Sequence, residues 1–219
     1  DLAGIEGLHA HALCENMATS SVTLIDAFEE KFRQYIPNLK WVNFGGGHLM
    51  THKDYDVDLL IQRLKAFKAK WGVEVYLEPG GAIGWQTGVL VSTVLDIVPT
   101  DGLDVVILDI SATAHMPDVL EMPYRPTITD AAEANVKAHT YRLGGTSCLA
   151  GDVIGDYSFD APLSVGSSLI FEDMIHYTMV KTTTVNGISL PSIAVWNSET
   201  DELRMVKQFG YDSFKERLS

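Results

Sequence analysis

The 219 residues carry 29 Asp and Glu against 16 Lys and Arg, a net charge of −13 that provides no basic surface for nucleic acid. With 46% hydrophobic and 21% charged residues, the chain can bury a substantial core in one large or two modest domains. Cys14 and Cys148 stand far apart without metal-ligand spacing, and no run approaches a membrane-spanning length, so a disulfide framework, a zinc knuckle and a membrane span are not expected. The acidity suits a cationic ligand or simple solubility, and the cysteine usage fits reduced thiols in a cytoplasmic protein. The start DLAGIEGLHAHAL has no signal-peptide pattern and no initiator methionine, and it enters a strand almost at once, as a fragment would.

Gly4 to Leu13 reads as a short strand that places His9 and His11 on one side. Thr19-Ser20-Ser21 is a cap for a helix over Val22 to Tyr35, stopped by Pro37 and Asn38. A second strand, Leu39 to Phe44, delivers Gly45-Gly46-Gly47, which suits a phosphate cradle or an ordinary flexible turn. A helix from Asp54 or Asp56 to Trp71 buries Leu59, Leu60, Leu64, Phe67 and Trp71, and Gly72 ends it. A third strand, Val73 to Leu77, runs into Glu78-Pro79-Gly80-Gly81: either a Pro-Gly turn, or an acid and two close-approaching glycines gripping a charged cofactor.

Strand, helix, strand, helix, strand, each strand ending in a polar or glycine-rich motif, is the pattern of parallel βα units, whose ligands bind at the C-terminal ends of the strands. Beyond residue 86 the texture becomes β: Gly88 to Val98, Asp104 to Ser111, Ala138 to Gly144, Ser168 to Phe171, Met174 to Thr184, Ser192 to Asn197 and Glu202 to Gln208. Ala131 to Val136 reads as a short turn. The fold expected is therefore α/β over residues 1–86 followed by a β-rich domain over 87–219.

Three constellations in the second half can carry chemistry. Cys148 and Asp152 share a glycine-rich loop, where the cysteine is either an inert small residue or a reactive thiol. The prolines around His115, Asp118, Glu121, Tyr124 and Arg125 are expected to prevent regular structure and fix polar groups on a loop. Tyr177 reads as a half-buried strand residue beside Asn186-Gly187.

Taken in order, GLHAHALCEN, FGGGHLMT, LEPGGAIGWQTG, ISATAHMPDVLEMPYRP and GGTSCLAGD resemble the fold type III pyridoxal phosphate decarboxylases, the family of alanine racemase-like barrels that includes ornithine and diaminopimelate decarboxylases. The resemblance implies that residues 1–86 are the C-terminal βα units of a (β/α)8 cofactor-binding barrel. It implies that His11 stacks on the ring of pyridoxal 5'-phosphate and that Glu78 keeps the pyridine nitrogen protonated, strengthening the ring as an electron sink. It further implies that Cys14, Gly45, Gly46, Gly47, Gly80, Gly81 and Tyr177 serve the phosphate side.

Cys148 matches the loop cysteine that returns a proton after CO2 loss, acting across a head-to-tail homodimer. Asp152, Glu121, Asp118 and Glu15 would contact the substrate, a carboxylated polyamine such as carboxynorspermidine or carboxyspermidine. Three departures accompany these matches. No segment here matches the one that bears the family's Schiff-base lysine, which makes a C-terminal portion the expected identity of the chain and a noncatalytic, dimerising remnant its alternative. Gly81 stands where relatives carry a charged residue, and Leu149 stands where ornithine and diaminopimelate decarboxylases place an acid. A diaminopimelate decarboxylase would need Arg125 or Arg142 to read the distal carboxylate. No metal is expected, because His9, His11, His48, His52 and His115 lack diagnostic spacing.

Overall fold

The computed structural model describes residues 3–218, and the chain divides into two compact units, 1–85 and 86–219. The first unit runs β1 (Gly7–His9), α1 (Ala18–Phe32), β2 (Trp41–Asn43), α2 (Val57–Trp71), β3 (Glu74–Tyr76) and a one-turn α3 (Gly81–Gly84). Its strands pair in parallel in the order β1-β2-β3, in a register that sets His9, Asn43 and Tyr76 side by side at the C-terminal row. Parallel neighbours need a long crossover, and α1 and α2 are those crossovers.

The α1 stripe of Ala18, Ser21, Ile25 and Phe28 is buried at helical spacing. The helix starts four residues before the expected Val22, behind Met17, and ends at Phe32 before a 3-10 turn over Ile36–Asn38. Ser21 does not cap it, because its hydroxyl is bonded to His48 Nδ1 (2.8 Å) and the Tyr55 hydroxyl (3.0 Å) in the core. The second crossover follows the sequence signals closely. The Asp56 carboxylate accepts from the Leu59 N–H, and Gly72, at φ +69°, closes the helix by donating to the Lys68 carbonyl. Phe44 joins Phe28 and Phe67 edge-on at 5.5 and 5.2 Å, so the end of β2 is anchored under both helices.

The second unit contains β4 (Leu90–Val98), β5 (Val105–Leu108), α4 (Ala112–His115), α5 (Asp118–Glu121), β6 (Ala132–Glu133), β7 (His139–Gly144), β8 (Val153–Phe159), β9 (Ser168–Phe171), α6 (Tyr177–Val180), β10 (Ile193–Asn197), β11 (Glu202–Lys207) and α7 (Tyr211–Leu218). Six strands form one sheet in the order β6-β8-β7-β5-β4-β9, antiparallel except for the β5–β7 pair. Val106, Leu108, Leu143, Tyr157 and Phe171 are fully buried at its core. The remaining two strands pair with each other as an antiparallel hairpin.

Several expectations are corrected here. Met174 to Thr184 is not a strand, and Tyr177 opens the short α6. The prolines of the 115–126 stretch bound two single-turn helices rather than abolishing helix, since Pro117 sits at the N-cap of α5, where its missing N–H costs nothing. The strand β8 was not anticipated, because GDVIGDYSF carries Gly and Asp in its interior; it is held by pairing on both sides. Ala131 to Val136 contains the two-residue β6. No helix among the described residues is long and apolar enough to cross a membrane.

Candidate active site

In the first unit, the residues singled out by sequence gather at the C-terminal ends of β1, β2 and β3. The chain leaves β2 at Asn43 and turns through Gly45 (φ +68°) and Gly47 (φ +78°), left-handed conformations that disfavour other residues. A Cβ on Gly47 would lie 2.2 Å from the Leu13 carbonyl, so the 11–16 loop bearing His11, Cys14 and Glu15 rests directly on this turn. Cys14 is exposed, and Glu15 is exposed at φ 49°.

Sequence reasoning missed Asn43, which ties the turn to the acid. Its Oδ1 accepts from the Gly45 N–H (2.8 Å) and its Nδ2 donates to Glu78 Oε1 (2.7 Å). The Glu78 N–H also donates to the Gly45 carbonyl at 2.8 Å. The signal for Asn43 was its place as a polar residue at the same strand-end row as His9. These bonds orient a half-exposed Glu78 carboxylate, with His9 Nε2 3.5 Å from Oε2. His11 Nδ1 accepts from the Gly46 N–H at 3.3 Å, which leaves the proton of a neutral ring on Nε2.

The three-glycine turn is therefore not a ring of outward N–H groups. The Gly45 and Gly46 N–H groups point inward, to Asn43 and His11. What the turn contributes is close approach of backbone, and Gly80 and Gly81, with nothing within 4 Å of a Cβ position, leave open space beyond Glu78.

His9, His11 and Glu78 bring three ligand-type atoms within 4.8 Å of one another. The buried histidines are spent elsewhere. His48 is bonded to Ser21 and the Phe44 carbonyl, and His115 accepts from the Ser111 N–H and donates to the Ser189 carbonyl. Burial holds both histidines below the ordinary imidazole pKa, so they serve as neutral hydrogen-bonding groups.

In the second unit, Cys148 lies on the exposed loop between β7 and β8. Asp152 closes that loop from inside. The residue is only 4% exposed, its Oδ2 accepts from the Ser111 hydroxyl (2.8 Å) and the Ser147 N–H (3.0 Å), and its Oδ1 accepts from the Thr113 N–H (3.2 Å). Burial by itself would raise this carboxyl, but the donors from Ser147, Ser111 and Thr113 outweigh it and hold the group below the usual carboxylate range. Gly145 makes room for it, since a Cβ there would stand 2.4 Å from Oδ2. Asp152, expected to contact the substrate, has both oxygens engaged by donors of its own unit and closes the cysteine loop from inside.

Asp118 and Glu121 project from α5 onto the Lys181 ammonium, which contacts Asp118 closely and Glu121 at 3.1 Å and lies 5.5 Å from the centre of the Tyr177 ring. The hydrogen bonds that Lys181 donates to Asp118 and then Glu121 raise its pKa. Both carboxylates thus share the ammonium of Lys181, a residue not anticipated from the sequence. The two arginines considered for a carboxylate substrate are both engaged. Arg142 forms a fork on Asp156 (2.8 and 2.9 Å), and Arg125 bonds the Ala132 and Asp156 carbonyls while stacking 3.6 Å over Tyr157.

The family model "Pyridoxal-dependent decarboxylase, C-terminal sheet domain" matches residues 17–175. The chain is 46% identical to a carboxynorspermidine/carboxyspermidine decarboxylase of Campylobacter jejuni, over 99% of this chain and 59% of the relative. It is 47% identical to a carboxyaminopropylagmatine decarboxylase of Synechocystis, over 99% and 56%. The crystal structure of the Campylobacter jejuni carboxynorspermidine decarboxylase complexed with norspermidine superposes with a TM-score of 0.90 at 46% identity, covering 99% of this chain and 62% of that one. A diaminopimelate decarboxylase from M. jannaschi shares the fold, with a TM-score of 0.70 at 19% identity over 96% of this chain and 51% of that one. The chain thus spans between half and two thirds of the length of the relatives it matches. On these matches, the chain belongs to the pyridoxal-dependent decarboxylase family.

Proposed function

We propose that this chain is the C-terminal portion of a pyridoxal phosphate-dependent decarboxylase that removes CO2 from a carboxylated polyamine, carboxynorspermidine or carboxyspermidine, in polyamine biosynthesis. The observation that carries the cofactor assignment is the oriented Glu78. Asn43 holds one carboxylate oxygen, the other, 3.5 Å from His9 Nε2, would accept a pyridine N–H, and the open space at Gly80 and Gly81 lies just beyond Glu78 in sequence. Pyridoxal phosphate, when bound, supplies an electron sink for the pair left on the substrate Cα when CO2 departs. Glu78 would keep the ring nitrogen protonated, and His11 would cover the ring face with the Nδ1 atom held by Gly46. The 45–47 turn with Gly80 and Gly81 would hold the phosphate side by close backbone approach, next to Cys14 and, by resemblance, with the Tyr177 hydroxyl. The three parallel βα units would then be part of the (β/α)8 barrel of this family.

Cys148 would give its proton to the substrate Cα, serving the site of a partner subunit in a homodimer. Asp118 and Glu121 share a single ammonium, Lys181, and the one negative charge left uncompensated between them would be offered to a cationic substrate. Glu15 is a further candidate for that role. The engagement of Arg125 and Arg142 argues against diaminopimelate. The similar Synechocystis relative favours a second reading, in which the distal end of the substrate is a guanidinium rather than an ammonium.

The test is cofactor absorbance and product identification on the intact protein that contains this chain. It should take up pyridoxal phosphate with a visible absorbance band that Glu78→Ala reduces at least about tenfold in cofactor affinity. It should release norspermidine or spermidine from the corresponding acids. No cofactor uptake would overturn the cofactor assignment, uptake without CO2 release would mark a noncatalytic module, and lysine from diaminopimelate would overturn the substrate assignment.

A further inference from the structure

Asn186 lies outside every motif used to read the function, yet it is the residue that touches the cysteine. It sits 38 positions beyond Cys148, and its Nδ2 donates to Cys148 Sγ at 3.0 Å. Its backbone is left-handed (φ 57°, ψ 17°), a conformation that Gly, Asn and Asp tolerate best. Of those three, only Asn can bring an N–H donor to a sulfur.

The pair is also held from behind by one scaffold. Either side of Asn186, the Thr183 N–H donates to the Ala114 carbonyl (2.8 Å) and the Ser189 carbonyl accepts from His115 Nε2 (3.0 Å). The same 111–115 segment binds the cysteine loop, through Ser111 and Thr113 donating to Asp152. Two segments that carry Cys148 and Asn186 are therefore registered on a single buried helical turn, with Ser111, Ala112, Ala114 and His115 all closed to solvent.

We propose that Asn186 is the positioning residue of Cys148: its amide N–H holds the sulfur in one rotamer and stabilises the thiolate left after proton donation. The proposal rests on the reading of Cys148 as the proton donor. In that step the S–H bond breaks and a C–H bond forms at the substrate Cα, using the pair released with CO2. The sulfur keeps its own electrons as thiolate and takes a proton back from water. A thiolate accepts an N–H more strongly than a thiol does, so the bond tightens as the proton leaves.

The test uses the intact enzyme and two variants, Asn186→Gly, which accepts the left-handed backbone, and Asn186→Asp, which keeps the shape but replaces the donor with an anion. Iodoacetamide labelling at pH 7.5, resolved by peptide mass spectrometry, separates Cys148 from Cys14. Cys148 labelling should slow about fivefold in Asn186→Gly and tenfold or more in Asn186→Asp, the scale of one hydrogen bond to a charged group, with Cys14 unchanged. The kcat should fall by similar factors with KM little altered. Labelling of Cys148 at the wild-type rate in both variants, or faster labelling in Asn186→Gly with Asn186→Asp unchanged, would overturn the proposal. Slowed labelling with unchanged kcat would sustain the bond but remove the proton-donor reading, and the catalytic role of Asn186 with it.

Discussion

Replacing Asp152 with Asn tests whether the carboxylate holds the cysteine loop. Three donors converge on it, the Ser111 hydroxyl and the Ser147 N–H on one oxygen and the Thr113 N–H on the other. An amide keeps one oxygen. If that oxygen takes the two-donor side, the Thr113 N–H faces an NH2 group, and a bond worth about 2 kcal/mol becomes a donor–donor contact. The two surviving bonds lose their charge assistance, roughly 1 kcal/mol each, while removing a buried charge returns about 1 kcal/mol. The net cost is about 3 kcal/mol, a fall of about 10 °C in melting temperature for a chain of this size.

Calorimetry would read the melting temperature, and hydrogen exchange would read the Thr113 and Ser147 amides, which should lose protection together. The difference must also depend on pH. The Asp152 pKa is lowered in the fold, so its stabilisation is present above the ordinary carboxylate value and is lost as pH falls through the folded value. The difference between wild type and variant should therefore begin to shrink below about pH 4 and vanish only below the lowered folded value. An Asp152→Asn protein melting with the wild type and keeping both amides protected would refute the argument.

Two further outcomes follow from the same geometry. Gly47→Ala should cost about 2 to 4 kcal/mol in urea unfolding, combining left-handed strain with a Cβ 2.2 Å from Leu13 backbone, whereas Gly72→Ala, equally left-handed but with nothing within 4 Å, should cost only about 1 kcal/mol. His48 and His115 are both held below the ordinary imidazole value, chiefly by burial, so the unfolded chain binds their protons first. Stability should then be full above about pH 6.5 and decline as pH falls, and His115→Gln should flatten that decline in a urea-midpoint profile taken between about pH 7 and 5.

What was legible in the chain is what short-range chemistry writes there. Asp56 and Gly72 bound α2 through bonds spanning three and four residues, and alternating βα segments with a glycine-rich or acidic end on each strand led to Glu78 before any contact was known. Glu78, His11 and the 45–47 turn do come together at one strand end, because parallel strands of matched register must bring their C-termini to one edge.

The tertiary structure decided which way the polar groups face. Gly45 and Gly46 turn their N–H groups toward Asn43 and His11, which no local pattern shows. Asp152 faces inward because its donors Ser111 and Thr113 lie 41 and 39 positions away, and Cys148 meets Asn186 across 38. Periodicity and capping record neighbours within about one helical turn or along one strand. A hydrogen bond between residues dozens of positions apart leaves no such imprint, so the inward turn of Asp152 and the partner of the Cys148 thiol were matters for the fold alone.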